Sequence, residues 1–94
     1  MSTVPSTEAS TRLSDLSLGD TAHVVRVQAT TDSTEAKELA RRLLELGFIE
    51  GERVRVIAHG HPGREPIAVR VGGTTFALRR FEADQIQVAI EVVC

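Results

Sequence analysis

The stretch Ile67-Ala68-Val69-Arg70-Val71-Gly72-Gly73-Thr74-Thr75-Phe76-Ala77-Leu78-Arg79 decides the fold. It holds two runs of alternating side chains around a Gly-Gly pair, the signature of a two-residue β-hairpin. Turn and pattern predict the same register. If Val71 pairs with Thr74, then Val69 faces Phe76 and Ile67 faces Leu78 on an apolar side, while Arg70 and Thr75 share the other.

Working outwards, Gly60 to Pro66 (Gly-His-Pro-Gly-Arg-Glu-Pro) holds too many breakers for regular structure and is predicted to be an exposed loop. Before it, Arg53 to His59 alternates, with Val54, Val56 and Ala58 on one face, and reads as a strand. Further upstream, Asp32-Ser33-Thr34-Glu35 has the form of a capping box, with Asp32 as N-cap. Ala36, Leu39, Ala40, Leu43 and Leu46 then recur at helical spacing, and Gly47 supplies the left-handed residue that stops the helix. Ala22 to Ala29 reads as the first strand, opened by the Gly19-Asp20 turn, with His23, Arg26 and Gln28 towards solvent. Downstream, a turn through Phe81-Glu82-Ala83-Asp84 leads to a closing strand, Gln85 to Val92, in which Ile86, Val88 and Ile90 alternate with polar or small residues. Residues 1–14, rich in Ser and Thr, read as a flexible tail, and residues 15–94 as one domain. The expected class is mainly β: five short strands, with one helix between the first two, curled into a small barrel so that the apolar faces meet without long exposed edges.

Composition narrows the function. At 94 residues, 41% hydrophobic and 26% charged, the chain has room for one modest core. A net charge of -2 provides no field to attract phosphate backbones, and three Phe with no Trp or Tyr leave no base-stacking platform, so nucleic acid is not an expected partner. A single cysteine, Cys94, argues against a disulfide framework and for the cytoplasm. No apolar run is long enough for a membrane span or a signal peptide. There is no nucleophile motif and no phosphate loop with its lysine, so the chain is not expected to be an enzyme.

Three segments carry a resemblance. Arg42-Leu43-Leu44-Glu45-Leu46-Gly47-Phe48-Ile49-Glu50-Gly51, then Glu65-Pro66-Ile67, then Phe76-Ala77-Leu78-Arg79-Arg80-Phe81-Glu82-Ala83 resemble, in order and spacing, the FeoA family of ferrous iron transport proteins, over about Leu16 to Val92. Before the hairpin, the family's Ala-Pro-Leu-Gly-Asp-Pro type loop is replaced by His59-Gly60-His61-Pro62-Gly63-Arg64-Glu65-Pro66. The resemblance implies an SH3-like barrel acting as a non-enzymatic accessory of ferrous iron uptake. Its partner would be FeoB, the membrane transporter with a cytoplasmic GTP-binding region, which the accessory binds and modulates. A related domain closes some metal-dependent repressors, whose DNA-binding helical region has no counterpart in this stretch.

Candidate site residues follow. The end of the helix carries more large apolar side chains than one narrow stripe needs, which makes Leu43, Leu44 and Phe48 candidates for a partner surface as well as for the core. Arg79 and Arg80 offer a cationic contact to an acidic patch, although exposed arginines contribute little singly. A second reading is a small metal-binding protein that senses or buffers the ion directly. His59 and His61, two apart, would point the same way in an extended chain, and His23 and Cys94 could complete a site for ferrous iron or zinc, within one chain or bridging a homodimer.

Overall fold

The structure, a computed structural model, describes residues 10–60, 63 and 65–90. Its strands are β1 (Ser10–Arg12), β2 (Thr21–Val27), β3 (Arg53–His59), β4 (Ile67–Val71), β5 (Thr74–Leu78) and β6 (Ile86–Ile90). Helix α1 (Thr34–Leu46) joins β2 to β3, and the single turn α2 (Arg80–Ala83) joins β5 to β6. All strands form one antiparallel sheet in the order β1-β6-β2-β3-β4-β5.

The hairpin has the register read from the sequence: Val71 opposite Thr74, Val69 opposite Phe76 and Ile67 opposite Leu78, turned by Gly72 at φ 62°. Two expectations need correction. Among the described residues the sheet has six strands rather than five, because Ser10–Arg12, within the stretch read as tail, pairs with β6; the helix expected between the first two strands therefore lies between the second and third, and a one-turn helix, α2, is added before β6. Leu13 and Leu16 follow in and just after a 3₁₀ turn and are fully buried, and the Ser14 hydroxyl bonds the Asp84 carboxylate. A three-residue strand and one short turn are too brief to show a period. The barrel is also not closed, since β1 and β5 end the sheet without pairing to each other.

Curvature comes from two bulges, at Val25 in β2 and Ile57 in β3. The second breaks the alternation of β3, so Val54 and Val56 are buried but Ala58 is exposed. The core inside the curl is Leu13, Leu16, Val24, Leu43, Phe48, Val54, Val56, Ile67, Val69, Leu78, Ile86 and Val88, with smaller neighbours.

Helix α1 is capped one residue later than expected. The Ser33 hydroxyl, held beside Thr31 Oγ1, accepts from the Ala36 amide at 3.1 Å, which makes Ala36 the third helical residue and removes Glu35 from a reciprocal box. Asp32 instead sits 3.4 Å from the Lys37 ammonium. At the other end Gly47, at φ 123°, donates to the Leu44 carbonyl and Phe48 donates to that of Leu43, both at 3.1 Å. This is a Schellman motif, whose geometry brings together the side chains on either side of the glycine turn, here Leu43 and Phe48.

Candidate partner-binding surface

That motif settles two of the candidate contact residues. Leu43 is 1% exposed and Phe48 0%, its ring 5.3 Å from that of Phe76, so both belong to the core and not to the surface. An apolar residue directly after a helix-stopping glycine is the signal that could have placed Phe48 there. Leu44, one residue further round the helix, is 43% exposed. Leu46, counted in the apolar stripe, is likewise exposed, as is Ile49.

Arg79 and Arg80 direct their side chains to solvent, while their backbones open α2. Arg79 N–H donates to the Glu82 carboxylate at 2.7 Å, and Arg80 N–H donates to the Glu65 carboxylate at 2.6 Å. The acid-proline pair of the preceding loop thus caps α2 from 15 residues away in sequence. Gly60 lies against the same pair: its amide donates to the Pro66 carbonyl at 2.8 Å, and a Cβ on it would collide with the Glu65 carbonyl.

Between α1 and α2 runs a groove that sequence reasoning missed. Ala36, Leu39 and Phe81 form its apolar floor, and Glu35, Glu38, Glu82 and Arg42 its rim. Phe81 is 55% exposed although it is one of three aromatics in the chain. Gln85, at the end of the groove, is buried with its Oε1 unpartnered in the structure. A single helical turn is too short to reveal a face, and so Phe81 reads from sequence only as part of a turn.

The two candidate metal ligands among the described residues, His23 and His59, do not converge. His23 pairs with Arg53 at the start of β3, and His59 ends that strand, which separates them by roughly 20 Å at 3.3 Å per residue. His59 Nε2 is buried without a hydrogen-bond partner, opposite Ile67. His61 and Cys94 lie outside the described residues. Among the described residues no group of three His, Cys, Asp or Glu side chains is placed to hold an ion. No helix among them is long and apolar enough to cross a membrane.

Residues 11–90 match the FeoA domain model. The chain belongs to the FeoA family. Among solved structures it is similar to a Stenotrophomonas maltophilia FeoA complexed with zinc, described as a prokaryotic SH3 domain protein, at 46% identity and TM-score 0.73, covering 83% of this chain and 88% of that one. It is also similar to the FeoA protein of Chlorobium tepidum, at 34% identity and TM-score 0.70, covering 87% of this chain and 71% of that one. A manganese-dependent transcriptional repressor shares the fold, at 24% identity and TM-score 0.72, the match spanning 87% of this chain and 37% of the repressor. No curated protein matches the chain. The FeoA assignment associates the chain with ferrous iron transport and gives its open barrel an SH3-like relationship.

Proposed function

We propose that this FeoA chain is a non-enzymatic, cytoplasmic accessory of ferrous iron uptake that binds the cytoplasmic GTP-binding region of a FeoB-type transporter and modulates it. The observation that carries this reading is the α1–α2 groove, which an exposed Phe81 lines together with Leu39 inside a mainly acidic rim. Large aromatic side chains left exposed beside a hydrophobic hollow are typical anchors of protein interfaces. Leu44 of α1 and the side chains of Arg79 and Arg80 extend the contact surface, with Leu43 and Phe48 supporting it from the core.

Capture of the purified FeoB cytoplasmic region, with and without guanine nucleotide, tests the reading. Wild-type chain is expected to bind, and Phe81→Asp and Leu44→Asp to bind at least tenfold more weakly. Leu43→Asp is unsuitable, because a buried charge would unfold the domain. Failure of the wild type to bind in every nucleotide state contradicts the proposal.

The zinc complex of the S. maltophilia protein favours a second reading, direct binding of ferrous iron or zinc. His23 and His59 stand too far apart to share an ion, so in this chain the reading rests on His59 with His61 and Cys94, within one chain or between copies. Zinc titration of a His59→Ala, His61→Ala double variant tests it: a loss of affinity supports the reading, and unchanged affinity removes these ligands.

A further inference from the structure

The outer face of the sheet carries a charge arrangement that stability does not explain. Arg53 and Arg55 alternate with buried Val54 and Val56 and so point outwards from β3. The register sets Arg70 of β4 opposite Arg55, Thr75 of β5 opposite Arg70, and Thr21 of β2 on the far side of Arg55. A row therefore crosses four strands in the order Thr21, Arg55, Arg70, Thr75, with two like charges side by side and no carboxylate in line. Like charges directly opposite in a ladder destabilise it. Neither Arg55 nor Arg70 makes an ion pair among the described residues. With Thr21, Glu52, Arg53 and Gly72 they line an open cleft.

This row ends on an unprotected edge. Among the described residues strand β5 pairs only with β4, and its five residues include no charge, proline or bulge. The opposite edge, β1, has three residues, and its Arg12 pairs with Asp15 at 3.5 Å. Exposed edges are ordinarily shortened, charged or interrupted, because their free amides and carbonyls invite another strand. In a ladder closed by a two-residue turn the flanking pair, Val71 and Thr74, is hydrogen-bonded and the pairs then alternate, so Thr75 and Ala77 turn their amides and carbonyls away from β4. Among the described residues neither bonds backbone elsewhere.

We propose that β5 and the arginine row together receive an extended acidic segment of a partner protein, which adds to the sheet beside β5. The segment's backbone pairs with Thr75 and Ala77. Its alternate side chains fall on the arginine face, where a carboxylate opposite Thr75 lies two strand spacings, about 10 Å, from β4. Arg70 and a glutamate span that distance together over the short Thr75. The intervening side chains lie beside half-buried Phe76 and are apolar, so the recognised pattern alternates acidic and apolar residues. Charge complementarity selects this occupant over a second copy of the chain, whose β5 carries no carboxylate to set opposite Thr75.

The proposal extends the reading of this chain as a binding module but is tested without the transporter. Fluorescein-labelled octapeptides of alternating glutamate and valine, of alternating lysine and valine, and of the glutamate form N-methylated at its glutamates are titrated into the full chain by anisotropy. Amide spectra follow Thr75 and Ala77. The glutamate peptide is expected to bind, to weaken as salt rises and to shift those two amides. Exposed Arg70→Ala weakens it about fivefold, the upper range for an exposed ion pair, and N-methylation abolishes binding. The proposal is overturned by equal binding of the lysine peptide, by unchanged affinity in Arg70→Ala, by absence of shifts at Thr75 and Ala77, or by peptide-free self-association that protects those amides. Capture of the transporter lost in Phe81→Asp but kept in Arg70→Ala leaves the function proposed above intact, so the two ideas fail separately.

Discussion

Strands β3 and β4 present Val54, Val56, Ile67, Val69 and Val71 to one side and Arg53, Arg55 and Arg70 to the other. The inner five are nearly or fully buried and, with Phe48, close the core. On the outer side Arg55 and Arg70 stand opposite each other, and neither makes an ion pair among the described residues. The same ten or so residues of backbone therefore hold the fold with one face and weaken it slightly with the other. Period-two alternation makes this division possible: stability and recognition are assigned to opposite faces of one strand pair, and each can vary without disturbing the other.

Four substitutions break or sharpen that contrast. The largest effect is expected from Phe48→Ala, which removes the ring that meets Phe76 and leaves a cavity under the inner face. A loss of about 3–5 kcal/mol, most of what a domain this small commands, should be visible as a fall in the urea midpoint. Gly60→Ala, at the end of the inner-face scaffold, drives a methyl group into the Glu65 carbonyl, and about 2 kcal/mol of destabilisation is expected by the same measurement. Glu65→Ala removes the carboxylate that caps α2 and should cost about 1 kcal/mol, lowering Tm by roughly 4–8 °C in calorimetry. Smallest and of opposite sign, Arg70→Thr relieves the like-charge pair and is expected to leave stability unchanged or raise it by a few tenths of a kcal/mol, near 0.2. A destabilisation above about 1 kcal/mol would show that the outer face contributes to the fold after all.

The same alternation explains what could be read in advance. The hairpin register was legible to the residue, because Gly72-Gly73 fixes the turn and the apolar pattern fixes the faces, and both agree. Strand β3 was legible in extent, but its bulge at Ile57 was not: an extra residue leaves no mark on a run of Arg, Val, Ile and Ala, so Ala58 was assigned to the wrong side. Helix α1 was found from its stripe, yet Asp32 and Ser33 are both competent caps, and the neighbouring Thr31 hydroxyl accompanies the choice of serine. The candidate surface was the least legible. Leu43 and Phe48 read as spare apolar residues until the Schellman geometry joins them in the core, whereas Phe81 gains its place beside α1 only through tertiary packing of a single turn. The acid-proline pair of the loop was visible as a family feature, but its role as a cap on α2 depends on a contact across 15 residues that no local pattern encodes.

The groove between α1 and α2 is the proposed place where this FeoA chain meets its partner. Calorimetric titration of the chain into the purified cytoplasmic region of a FeoB-type transporter, comparing wild type with Phe81→Asp after both are shown to have the same urea midpoint, tests this most directly. Saturable binding by the wild type and at least a tenfold loss in the variant are expected. Equal affinity of the two proteins would contradict the proposal.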